Sequence, residues 1–173
     1  MQATAFWSTV TKDESGFLPE FVALLEKEGI RYAVIGGQAV NAYADPLVSL
    51  DLDLVVEESR RGRFEAELRK RFRVEAFEHS VNVSKAGSGL RVQIQTDPRY
   101  TAFVERASPM DVLGLRLLVA ALRDVLQGKI WAFSDEKRRP SKRQKDLTDI
   151  SRIVEKHPEL RSQVPEAVLE RLV

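Results

Sequence analysis

The chain of 173 residues contains no cysteine. Disulfide frameworks, thiolate nucleophiles and cysteine-based zinc sites are therefore excluded, and the composition fits a reducing compartment. Histidine is almost as scarce, with His79 and His157 far apart in sequence. A histidine-rich metal site or a serine–histidine hydrolase triad is not expected. Net charge is nearly absent too: 27 Lys and Arg oppose 26 Asp and Glu, for a formal charge of +1. Bulk charge thus argues neither for nor against nucleic acid, and only local clusters can speak. No apolar run is long enough to span a bilayer, so no membrane partner is expected. The N-terminal MQATAFWSTVTKDESG lacks a charged segment followed by an apolar one, which leads to the expectation of a cytoplasmic protein.

What is present suits a globular domain. Hydrophobic residues make up 43% and charged residues 31%, and a chain of this length buries enough surface to fold without staples. One domain with a helical annex is expected. Apolar spacing predicts a helix over 17–28, closed by Gly29. Tyr32–Ile35 reads as a short strand running into Gly36-Gly37, and 38–43 as a short helix opened by that turn. Ser49–Val56 alternates with period two, so Leu50, Leu52 and Leu54 share one face and Ser49, Asp51 and Asp53 the other. A charged helix follows over 60–73, then strands over 74–77, 81–84 and 90–96. Beyond Pro109 the pattern turns helical: 111–126 carries a broad apolar stripe stopped by Gly128, and 142–155 a second one. Pro158 and Pro165 can each open a short terminal helix. Trp7, Trp131 and Phe133 read as packing residues.

One constellation carries chemistry. A strand ends in Gly36-Gly37, a helix follows, and the next strand presents Asp51 and Asp53 on one face. Neighbouring carboxylates in a half-buried place repel unless a cation lies between them. Oxygen-only ligands of this kind suit Mg²⁺, which takes one or two carboxylates plus substrate phosphates. A glycine turn before a helix admits a phosphate close to free backbone amides. Together these read as a metal–triphosphate site.

The pattern V34-I-G-G37, a gap of thirteen residues, and D51-L-D53 preceded by Ser49 resembles the signature of the polymerase-β-like nucleotidyltransferase superfamily. The later run K145-D-L-T-D149 is similar to the small nucleotidyltransferase-like proteins related to abortive-infection toxins. The resemblance covers about residues 18–156. It implies an α/β (α+β) fold in which a mixed sheet has helices on one face. The nucleotidyltransferase-like domain would span 1–107, with a helical segment over 108–173 packed on it. It also implies Mg²⁺- or Mn²⁺-dependent transfer of a nucleoside monophosphate from a nucleoside triphosphate to a hydroxyl of RNA, protein or a small molecule. A toxin–antitoxin setting with a cognate antitoxin as partner is implied as well.

By the same resemblance Asp51 and Asp53 are catalytic and metal-binding, while Gly36, Gly37, Gln38, Ser49, Gln93, Lys142 and Lys145 contact the nucleotide. Active relatives carry a third carboxylate on a neighbouring strand. Here that strand, L90-R-V-Q-I-Q-T96, offers Arg91, Gln93 and Gln95. Glutamine presents a carbonyl oxygen but takes no proton. Asp97, at the strand's end, is the candidate substitute. Without it the expected alternative is a nucleotidyltransferase-fold protein that binds nucleotide or a partner without turnover. The basic tract 137–145 reads three ways: as a solvated loop, as cations for a triphosphate, or as a nucleic-acid contact. Lys145 and Asp149, at i and i+4, are spaced for a helix-surface ion pair.

Overall fold

The computed structural model describes residues 14–172. Residues 1–13, with Trp7 and most of the segment read for a targeting signal, lie outside the described residues. The chain begins with α1 (Phe17–Lys27), β1 (Tyr32–Ile35), α2 (Gly36–Tyr43), β2 (Asp51–Val56) and α3 (Glu58–Arg69). Then come β3 (Arg73–Ala76), β4 (Ser80–Ser84), β5 (Arg91–Gln95) and a 3₁₀ segment over Pro98–Arg106. It ends with the hairpin β6 (Ser108–Val112) and β7 (Leu115–Val119), helices α4 (Leu122–Ser134) and α5 (Pro140–Lys156), a 3₁₀ turn over Pro158–Gln163 and α6 (Glu166–Leu169).

The seven strands form one mixed sheet in the order β3-β4-β5-β2-β1-β7-β6. β2 lies at its centre, antiparallel to β1 and parallel to β5. Its alternation does what period two requires: Leu52 and Leu54 are buried on one face, so Asp51 and Asp53 stand on the other. α1 packs through an edge-to-face aromatic cluster on α3 and the turn after it, with Phe21 to Phe64 ring centroids 5.9 Å apart and Phe17 to Phe72 5.1 Å. α2, α4 and α5 pack against one another above the carboxylate-bearing face.

Three sequence expectations give way here. The stripe over 111–126 is not one helix but the β6–β7 hairpin followed by the start of α4. Leu113 and Gly114 both adopt left-handed φ, 52° and 78°, and reverse the chain. An apolar run of this length fits strand or helix equally. The place beside β1 decides it, where Val34 pairs with Val119. Gly128, expected to stop a helix, lies inside α4. A Cβ there would come within 3.1 Å of the Tyr100 ring, so the glycine lets the 3₁₀ segment pack directly onto the helix. The tract 137–145 is likewise not simply a loop, since α5 begins at Pro140.

Candidate active site

The floor of the site is the β1–α2 bend and β2. Gly36 has φ 69°, and a Cβ at that position would collide with the Asp53 carboxylate. Only glycine lets the bend and the acid approach this closely. Ile35 is paired with Asp53 across the β1–β2 ladder, which fixes the distance along the strands. The 44–50 connection is clamped by α2: Gln38 Nε2 donates to the Ser49 carbonyl at 3.0 Å, and Asn41 bonds both the N–H and the C=O of Leu47. Ser49 Oγ in turn accepts from the Asp51 N–H at 3.3 Å. Gln38 thus positions the loop that carries Ser49, and it lines a separate crevice with Pro46 and Leu113.

The two carboxylates differ. Asp51 accepts from Arg91 Nε at 3.0 Å, and Lys142 Nζ lies 3.9 Å away. Asp53 has neither a hydrogen bond nor an ion pair among the described residues. It keeps a narrow opening to the cleft but is walled in by protein. That desolvation pushes its carboxyl up to about 6, with Lys129 pulling the other way and Asp51 adding to the rise.

The helical wall is built from α4 and α5. Lys129 Nζ sits 3.1 Å from Asp146 Oδ1 and 2.8 Å from Asp149 Oδ2. Arg138 holds the other oxygen of Asp146 at 2.7 Å, and Arg152 holds Asp149 at 2.8 Å. Burial alone would push the Lys129 ammonium down; Asp149 and Asp146 outweigh it and hold it above its usual range. Arg152 also donates to Asn41 and to the Asp45 carbonyl, which ties α5 to the clamped loop. Asp149 therefore turns inward to Lys129, not outward to Lys145, and the expected i,i+4 surface pair does not form.

Two chambers open on either side of Asp53. The first is lined by Gly37, Ser49, Asp51, Lys142 and Lys145, among others. The second is lined by Gly36, Gln93, Gln95, Tyr100 and Ala132, among others. Asp53, Lys129, Arg138 and Asp146 border both. Of the expected site residues, Gly36, Gly37, Ser49, Asp51, Asp53, Lys142 and Lys145 are thus brought together, and Gln93 faces the opposite side of Asp53. Asp97 is not brought in. It caps the 3₁₀ segment and binds Arg99 through both Nε and Nη2, and that guanidinium holds its carboxyl below the usual range.

No protein-family model and no curated protein sequence matches the chain. Solved structures do. ANT(2")-Ia in complex with adenylyl-2"-tobramycin superposes with a TM-score of 0.63 at 15% identity, over 91% of this chain and 97% of that one. The lincosamide antibiotic adenylyltransferase LnuA, lincomycin-bound, gives 0.53 at 12% identity, over 80% and 97%. A nucleotidyltransferase-like protein from Paracoccidioides brasiliensis gives 0.52 at 17%, over 92% and 98%. The chain has the polymerase-β-like nucleotidyltransferase fold. In this nucleotidyltransferase fold the Asp51–Asp53 strand and the glycine bend occupy the centre of the sheet, and the helical segment closes the cleft over them.

The donor set fits a divalent cation in one specific way. Among the described residues there is no group of three or more His, Cys, Asp or Glu placed to hold a metal. Two carboxylates on one face, one of them desolvated and unpaired, can supply part of a coordination shell. Phosphate oxygens and water complete such a shell for Mg²⁺ or Mn²⁺. Lys129 and Arg152 were not among the expected site residues. Lys129 sits four residues after Val125 and four before Phe133, both buried in the α4 stripe. A lysine inside an apolar stripe was the available signal, and reading Gly128 as a helix stop concealed it.

Proposed function

We propose that this protein transfers a nucleoside monophosphate from a nucleoside triphosphate to an acceptor hydroxyl. The observation that carries the reading is the juxtaposition of an unpaired, desolvated Asp53 with a glycine bend whose Cβ-less backbone is needed for the contact. Asp51 and Asp53 would hold a divalent cation, which when bound supplies positive charge to the phosphates and to the leaving oxygen. Gly37 and Ser49 border the space for the phosphate chain, and Lys142 and Lys145 supply its counter-charge. The buried Lys129 network holds α4 and α5 at a fixed height over the floor.

In the transfer, the acceptor oxygen attacks the α-phosphorus and the bond from that phosphorus to the bridging oxygen breaks. Pyrophosphate leaves with the bonding pair. The acceptor proton passes to water in the open cleft, because Gln93, across the ladder from Asp53, cannot take it. That same glutamine, with Asp97 turned to Arg99, favours a second reading in which nucleotide is bound without turnover. The toxin–antitoxin setting rests only on the resemblance carried by K145-D-L-T-D149.

The test is transfer of label from the α-phosphate of each nucleoside triphosphate into cell extract, with Mg²⁺ or Mn²⁺. Transfer that disappears in the Asp51→Ala, Asp53→Ala double variant supports the enzyme. Binding of triphosphate without transfer supports the second reading, and transfer unchanged in the double variant refutes the site.

A further inference from the structure

We propose that the outer edge of β3 is a self-association surface, separate from the nucleotidyl-transfer cleft. A second copy of this chain pairs antiparallel along it and joins the two sheets into one.

β3 ends the sheet order, and among the described residues no strand lies beyond it. The hydrogen-bond pattern tells which of its backbone groups are left open. Phe77 N–H donates to the Ser80 carbonyl at 2.7 Å. Phe77 and Ser80 are therefore a hydrogen-bonded pair, and in an antiparallel ladder such pairs alternate with pairs whose amides face away. By that alternation Glu75 and Arg73 turn their backbone groups inward, to Asn82 and Ser84 on β4. Val74 and Ala76 turn theirs to the open side. The Val74 carbonyl accepts from Arg69 Nη1 at 3.4 Å, a long contact in an exposed place, and keeps a second lone pair.

An open edge invites any strand, and proteins guard it with proline, charge or shortness. The two edges of this sheet differ. β6 carries Pro109, which has no N–H to offer. β3 carries no proline. Its guards are the charges of Arg73 and Glu75, whose side chains are 77% and 49% exposed and lie 2.7 Å apart.

These charges do not repel every partner. An antiparallel register centred on Glu75 sets that residue against Glu75 of the partner subunit, and like charges directly opposite destabilise a sheet. A register centred on Val74 sets Arg73 against Glu75 of the partner subunit, and Glu75 against Arg73 of the partner subunit. Those are non-hydrogen-bonded positions, where side chains approach most closely. The outward N–H and C=O of Val74 then meet their own counterparts. The strand is thus complementary in charge to a second copy of itself. Phe77, a large apolar side chain left 57% exposed just after the strand, falls at each end of the paired segment by the two-fold symmetry. Both clefts stay open, because β2 lies three strands from β3, about 14 Å at the ~4.8 Å spacing of neighbouring strands.

Sedimentation velocity on the full chain over a concentration series reads the association, and backbone hydrogen exchange reads its place. The wild type is expected to shift from monomer to dimer as concentration rises, with slowed exchange at Val74 and Ala76. Arg73→Glu and Glu75→Arg each set like charges opposite one another at two symmetric positions. Each should raise the dimer dissociation constant about 10-fold or more. Both side chains are exposed, so both variants should fold, which thermal melts check. An equimolar mixture of the two variants should dimerise as the wild type does, because acid then faces base again. A wild type that stays monomeric at every concentration overturns the proposal. So does a dimer indifferent to both substitutions, or a mixture that remains monomeric. A dimer whose Val74 and Ala76 amides exchange as fast as in the monomer puts the contact elsewhere and overturns it too.

Discussion

The sheet wall and the helical wall of the cleft both carry two aspartates, and they treat them in opposite ways. On α5, Asp146 and Asp149 are claimed by Lys129, Arg138 and Arg152 at 2.7–3.1 Å. On β2, Asp53 has no close partner, and Asp51 has an arginine with an exposed side chain and Lys142 at 3.9 Å. A buried charge left uncompensated costs stability, and a chain retains one where a cation or substrate completes it. The helical wall is therefore scaffolding, its aspartates compensated by cations of their own, and the sheet wall is the part that waits for a ligand.

The largest effect that separates the walls is on the helical side. Lys129→Met removes the buried cation that Asp146 and Asp149 share, leaving each with one arginine, and is expected to destabilise the fold by about 3–5 kcal/mol, read by denaturant unfolding. Asp53→Asn should do the reverse. Its carboxyl is raised from 3.8 to about 6, so between those values the folded state holds a proton that the unfolded state has lost. Stability contributed by this group therefore falls as pH rises through that window. Removing the charge should stabilise the metal-free protein by about 2–3 kcal/mol above pH 6, with little change near pH 4. Thermal melts of both proteins across that range check it, and a variant that is destabilised at high pH would show Asp53 to be well compensated.

Gly36→Ala is expected to cost about 1–3 kcal/mol, because it combines a left-handed φ with a collision on Asp53. It should also abolish triphosphate binding, whereas Gly62→Ala, with open space around it, should not. The smallest effect belongs to Arg91. Its ion pair with Asp51 is largely solvent-exposed, so Arg91→Met should change stability by less than about 1 kcal/mol. The same variant should tighten divalent-cation binding, measured by Mn²⁺ titration, because the cation no longer competes with the guanidinium.

The sheet wall was legible in the sequence because it is written in local rules. Period-two alternation separates Asp51 and Asp53 from Leu52 and Leu54, and Gly36-Gly37 closes the preceding strand. The helical wall was not, because its partners meet across distance. Lys129 finds Asp146 and Asp149 only once α4 and α5 pack together, and α4 itself was displaced by misreading 111–126. Those residues are apolar enough for either structure, and the pairing of Val119 with Val34, far away in sequence, decided between them. Asp97 shows the same limit in reverse: it is adjacent in sequence to the site strand, yet its nearest cation, Arg99, takes it first.

The most direct measurement is calorimetric titration of a non-hydrolysable nucleoside triphosphate into the wild type and into Asp53→Asn, each with and without Mg²⁺. The expected result is binding in the wild type that depends on the cation and disappears in the variant, although the variant is the more stable protein. Equal binding by both proteins, or none by a folded wild type at any cation concentration, would contradict the assignment of Asp53 as the charge left open for a metal-bound triphosphate.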